Sequence, residues 1–121
     1  MEYNLDGKVF RSVSNTRNGE VGADTTFQYR QSGSVVTATY SGGTIVSGQL
    51  IAKVLPSGQL DMRYHHLNLA GEFMLGQCLS TPERLPDGRL KLRESWQWLS
   101  GDRSSGYSEV EEVAPEAPAA G

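Results

Sequence analysis

The sequence predicts a single all-β domain, an antiparallel up-and-down β-barrel of about eight strands. Three observations carry this. Turn signals recur at short intervals: Asn18-Gly19, Ser32-Gly33, Ser41-Gly42-Gly43, Pro56-Ser57-Gly58, Asn68 to Gly71, Pro86-Asp87-Gly88, and the loop from Gly101 to Gly106. Between them lie segments of about six to twelve residues rich in Val, Ile, Thr, Tyr, Phe and Trp. No segment holds a helical period long enough for a helix. Loops this short join antiparallel neighbours. Closing the sheet removes the exposed edges that an open eight-stranded meander would carry; a strongly curled open sheet is the alternative.

Strands are expected near 8–14, 25–30, 34–40, 43–55, 59–67, 70–80, 89–99 and 107–113. A chain of 121 residues suits one domain, with the barrel in residues 1–113. The remainder, 114–121, reads Ala-Pro-Glu-Ala-Pro-Ala-Ala-Gly, has nothing apolar to bury, and is expected to be a disordered tail. Deleting it should leave the melting temperature unchanged. A fall of more than about 4 °C, roughly the effect of 1 kcal/mol in a domain of this size, would show that the tail is docked.

A formal net charge of −3 and the lack of any basic run give no field that would attract nucleic acid. The opening Met-Glu-Tyr-Asn-Leu-Asp-Gly has neither a basic n-region nor an apolar stretch, so no signal peptide is expected. No apolar run is long enough to cross a bilayer, and no membrane partner is expected. Cys78 is the only cysteine, which excludes an intrachain disulfide and suits a reducing cytoplasm.

Alternation along each strand decides which side chains meet inside. Leu60, Met62, Tyr64 and His66 share one face; Leu90, Leu92, Glu94, Trp96 and Trp98 share another; Phe27 and Tyr29 oppose Gln28 and Arg30. In the first segment Val9, Arg11 and Val13 oppose Phe10, Ser12 and Ser14, and either set could face inward. The 43–55 segment is apolar on both faces, and Gly48 in its middle suggests a bulge or bend that switches the phase. Without one, Ile45 and Ile51 oppose Val46 and Leu50, and Met74 opposes Phe73 and Leu75. Some of these would then face outward and mediate a C2 homodimer. With a phase shift at Gly48, both isoleucines turn inward.

Glu94 stands in phase with four large apolar side chains, two of them tryptophans. A carboxylate inside a barrel needs a partner or water. Arg11 is one candidate; Tyr29, Tyr64 and His66 are others. The plainer reading is a buried ion pair or hydrogen-bond network that fixes strand register. The functional reading is the polar floor of an aromatic-walled cavity that orients a small ligand, with Arg11, Tyr29, Tyr64, His66, Glu94, Trp96 and Trp98 as its residues. Eight strands leave an interior that is either filled by side chains or holds one small ligand.

Other chemistries find little support. His65 and His66 are adjacent on a strand and point to opposite faces, so they cannot chelate one ion, and no metal or cofactor is expected. No Gly-x-Ser-x-Gly elbow occurs, and Ser41-Gly42-Gly43 has no helix after it to bind phosphate. Cys78 reads as a small packing residue or an inert thiol.

Several stretches resemble a family of small bacterial proteins: Gly7-Lys8-Val9-Phe10-Arg11-Ser12-Val13-Ser14-Asn15, Tyr40-Ser41-Gly42-Gly43, Asp61-Met62-Arg63-Tyr64-His65, and Glu94-Ser95-Trp96-Gln97-Trp98 followed by Ser100-Gly101-Asp102. The resemblance spans about residues 5 to 113. Members of that family often carry the label N-acetylglutamate synthase, which implies an α/β acetyltransferase fold with a Gln/Arg-x-x-Gly-x-Gly/Ala loop leading into a helix. Arg30 to Val35 and Arg103 to Ser108 approach that pattern, but both fail at its last position and both lie between strands. Without a helix N-terminus such a loop cannot grip a pyrophosphate, so the label does not fit.

Three readings follow. The first is a cytoplasmic binding module of lipocalin-, calycin- or avidin-like shape, taking a small anionic or carbonyl-bearing ligand near Arg11, Tyr64, His66, Glu94 and Trp96. The second is a small barrel enzyme, a cyclase, isomerase or lyase, with Glu94 or His66 as acid or base. The third is an interaction protein with a solid core. A hollow interior with convergent polar groups speaks against the third, and a raised pKa at Glu94 beside a cavity favours the second.

Overall fold

Each strand pairs with the next, seven times in succession, and all but the first of these connections are short. The computed structural model describes residues 3–113. Its strands are β1 (Val9–Asn15), β2 (Thr26–Ser32), β3 (Val35–Gly42), β4 (Ile45–Val54), β5 (Leu60–Asn68), β6 (Phe73–Arg84), β7 (Leu90–Trp98) and β8 (Ser105–Glu112). They pair antiparallel in chain order and β8 closes on β1, so the expected up-and-down barrel forms. Residues 114–121, the expected tail, lie outside the described residues.

No helix occurs among the described residues. The two stretches that approach an acetyltransferase loop are strand ends and turns. Most strand bounds fall within two residues of expectation, and β6 departs furthest. It runs on through Pro82 to Arg84 because pairing with β5 ends at Leu60 opposite Ser80. Beyond that point β6 has β7 alone as a neighbour and behaves as an edge, where a proline is tolerated.

The phase switch expected at Gly48 occurs two residues earlier, at a register shift between Ile45 and Ser47. Ile45 therefore points inward with Leu50 and Ala52, while Val46 and Ile51 stand on the outer wall at 49% and 57% exposure. Neither expected arrangement of the isoleucines is right: one is in and one is out. Gly48 has a different task. It lies directly opposite Tyr40, and a Cβ there would fall within the Tyr40 ring. Gly76 stands in the same relation to Tyr64, and Gly106 to Trp96. Each glycine leaves a trough on the inner wall, and the aromatic ring of the adjacent strand folds across it.

The first strand also turns the other way from the arrangement that would bring Arg11 inside. Phe10 and Ser12 are buried, and Arg11 is exposed on the outer wall, in register with Glu111 of β8. An inward guanidinium would have lost its hydration against apolar neighbours, whereas outside it keeps water and an acidic strand beside it. A register shift between Ser12 and Ser14 then returns Asn15 to the inner side.

The two halves of the barrel differ. The lower half is packed solid by Phe10, Val36, Leu60, Leu90, Leu92 and Val110, all at or below 1% exposure. Leu5, from the segment before β1, tucks beneath this end; its N–H donates to Gln31 Oε1 at 2.9 Å, and the Gly7 N–H donates to the Tyr29 carbonyl at 3.0 Å. The upper half holds the larger aromatic side chains and is where the packing opens.

Candidate functional site

Glu94 lies at the boundary between those halves. Leu90 and Leu92 are below it on β7, and Trp96 and Trp98 are above. Register places Ser80 of β6 on one side of it and Ser108 of β8 on the other, with Asn15 of β1 beyond Ser108. Four consecutive strands thus carry one polar row across the inner wall. Ser108 Oγ donates to Glu94 Oε1 at 3.2 Å. Ser80 Oγ lies close enough to favour the ionised carboxyl but makes no hydrogen bond, and it is fully buried. Burial outweighs both hydroxyls and pushes the Glu94 pKa from 4.5 to about 7.

Although walled in on all sides, Glu94 keeps part of its surface accessible because it faces a cavity rather than packed atoms. The cavity measures ≈ 50 Å³. Tyr64, His66, Trp96 and Trp98 line it with Glu94, as do Phe27 and Tyr40. Trp96 and Trp98 lie 5.5 Å apart at 58°, and Tyr64 meets Trp98 at 5.9 Å and 64°, so the rings wall the space from different directions. Burial pushes the phenols of Tyr29, Tyr40 and Tyr64 and the thiol of Cys78 above their ordinary values, with neighbouring ionisable groups including Glu94 adding to it. These groups are protonated at neutral pH. Neither lysine nor arginine lines the cavity.

The upper end is covered by the loop between β1 and β2. Its Glu20 accepts from His66 Nε2 at 2.7 Å, and Asn68 Nδ2 lies 3.3 and 3.2 Å from the two Glu20 oxygens. Trp98 Nε1 donates to the Asn18 carbonyl at 3.0 Å, and Thr44 Oγ1 donates to the Glu20 carbonyl at 3.0 Å. Facing a carboxylate, Nε2 of His66 carries the ring proton. Its Nδ1 lies 3.0 Å from the Tyr40 hydroxyl, which is also 3.3 Å from the His65 carbonyl. With a neutral ring, Tyr40 donates to Nδ1. With an imidazolium, Nδ1 donates to Tyr40, whose proton turns to the carbonyl. The chain Glu20–His66–Tyr40 therefore has a consistent set of hydrogen bonds in either state.

Five of the seven residues singled out from the sequence meet at this cavity: Tyr64, His66, Glu94, Trp96 and Trp98. Tyr29 does not. It is buried below, with Phe10 at 5.0 Å and Phe27 at 6.5 Å, and its hydroxyl has no partner. Arg11 is outside the barrel, so it neither pairs with Glu94 nor reaches a ligand there. Glu20, Tyr40, Asn68, Ser80 and Ser108 escaped the sequence reading. Tyr40 could have been found, since it is in phase with Val36 and Ala38. Glu20 sits in a loop, where no period marks it.

The span that forms this barrel is also the span of a recognisable family. A family model described as avidin-like protein matches residues 3–113. No match is found among curated proteins. With eight antiparallel strands closed in chain order and the family match covering nearly the whole chain, this protein belongs to the avidin-like family.

Proposed function

We propose that this protein binds a small molecule, taking its polar head group into the upper half of the barrel beneath the β1–β2 loop. One observation carries the reading: a carboxyl, Glu94, faces a cavity in a largely aromatic interior, with neither lysine nor arginine in its lining to balance it. A purely structural carboxyl would be expected to meet a full set of donors, and this one receives a single hydrogen bond, from Ser108. The avidin-like barrel is consistent with small-molecule binding. Trp96 and Trp98 border the cavity and serve as reporters. Titration with small polar molecules should change their fluorescence in the parent protein and not in Glu94→Gln. Equal responses in both proteins would remove Glu94 from the site.

A pKa near 7 also suits a general acid or base. This supports the second reading, an isomerase, cyclase or lyase acting through Glu94, and turnover of a bound compound would establish it. The cavity itself counts against an interaction protein with a solid core.

The same reading includes a homodimer and a cytoplasmic setting. Ile51, Leu75 and Leu99 line one shallow groove on the outer wall, which supplies an apolar face for a second copy. Light scattering at micromolar concentration is expected to give twice the chain mass, and the mass of one chain would dispose of the dimer. The free, buried thiol of Cys78 suits a reducing compartment.

A further inference from the structure

We infer that the molecule this cavity accepts is a small organic cation, an ammonium or methylammonium head group caged by aromatic rings against Glu94. The inference rests on the binding reading above and names the ligand class.

Charge comes first. An anionic ligand near Glu94 would require a cation, and the one considered, Arg11, lies on the outer wall. The groups that face Glu94 can be taken strand by strand. They are the phenols of Tyr29 on β2, Tyr40 on β3 and Tyr64 on β5, the Cys78 thiol on β6, and the hydroxyls of Ser80 and Ser108 on β6 and β8. β1 and β4 contribute no ionisable side chain to the interior: Asn15 lines the cavity, and Gly48 and Leu50 face inward. None of these groups is cationic. His66, on β5, is engaged by Glu20 at the mouth. The floor and the mouth of the cavity thus each carry a carboxyl, and an anion placed between them would meet like charge at both ends.

The walls point the same way. Phe27, Tyr40, Tyr64, Trp96 and Trp98 border the space. Aromatic faces attract a cation through their quadrupoles, and the attraction grows where water is excluded. An aromatic enclosure with a carboxyl at its floor favours ammonium groups over neutral isosteres. Size limits the choice further. A cavity of ≈ 50 Å³ takes a head group of a few heavy atoms, where drug-sized ligands occupy roughly 300–1,000 Å³. The rest of a larger ligand would have to pass out beneath the β1–β2 loop.

The test uses the full chain, with Trp96 and Trp98 fluorescence read at constant ionic strength. Methylammonium and tetramethylammonium are the cationic probes, and acetamide and acetate are the counter-probes. Methylammonium should bind about tenfold more tightly at pH 8 than at pH 6, because a carboxyl titrating near 7 is about nine-tenths ionised at the first and one-tenth at the second. Glu94→Gln should weaken binding and abolish this pH dependence. Trp96→Phe should retain binding, since it keeps an aromatic face, and Trp96→Leu should lose it. Glu94-dependent binding of acetamide or acetate in preference to the cations would overturn the ligand class and leave the binding site standing. Methylammonium binding that is unchanged in Glu94→Gln would also overturn the class. Silence from all four probes up to about 100 mM would overturn both the class and the site.

Discussion

Glu94→Gln should make the barrel more stable at pH 8, by up to about 3 kcal/mol, and leave it nearly unchanged at pH 4. An ordinary glutamate titrates at 4.5, and in the folded barrel Glu94 titrates at about 7. Between those values the folded protein holds a proton that the unfolded chain has released. Stability from this group is therefore complete below about 4.5, falls as pH rises through the folded value, and levels off above it. Glutamine can keep the Ser108 hydrogen bond and never has to ionise, so it escapes the fall. Denaturant titrations of parent and variant at both pH values measure the difference. The pair-with-Arg11 reading predicts the opposite, a loss of about 3 kcal/mol from stranding a buried guanidinium. A variant less stable than the parent at pH 8 would mean that Glu94 has a cationic partner after all.

Gly48→Ala should be among the most damaging single-methyl changes in this chain, lowering stability by about 2–3 kcal/mol and the melting temperature by about 10 °C. The new Cβ would fall within the ring of Tyr40. That ring cannot retreat, because it stacks on Phe27 at 4.9 Å and its hydroxyl is hydrogen-bonded to His66. Gly76→Ala poses a similar problem against Tyr64 and should cost less. Both rings border the cavity, but Tyr64 is only half-buried whereas Tyr40 is buried and held by His66, so the Tyr64 ring has more room to move. Thermal melts of the two variants distinguish them. Equal losses would show that partial exposure gives Tyr64 no freedom.

Why some of this was legible in the sequence, and some was not, comes down to periodicity. Turn residues and period-two alternation fixed the strand count and the inner faces of β2, β5 and β7, because long, regular strands repeat the signal several times. Tyr64, His66, Glu94, Trp96 and Trp98 inherit their placement from those strands. Where regularity is interrupted, the reading fails. The bulges at Ser12/Ser14 and Ile45/Ser47 each add a residue that no side-chain pattern announces. Arg11 belongs to a short strand whose two faces look alike in sequence. Ile45 and Ile51 end on opposite sides because a shift separates them. Gly48 suggests a bulge by its sequence, yet it provides space for a ring on the neighbouring strand, a relation that only register can reveal. Glu20 reaches His66 across 46 residues from within a loop, and no local pattern encodes such a contact.

The packed lower half of the barrel, with Leu5 tucked beneath it, closes the cavity from below. A guest of the proposed kind would have to pass the β1–β2 loop, which cannot move aside without parting from His66 and Trp98. Traffic into the proposed site would therefore be tied to the breaking and remaking of those hydrogen bonds rather than to free diffusion. Strength of binding and duration of binding become separate properties in such a vessel. In the proposed site Glu94 and the rings would govern how tightly a guest is held, and the loop would govern how long it stays.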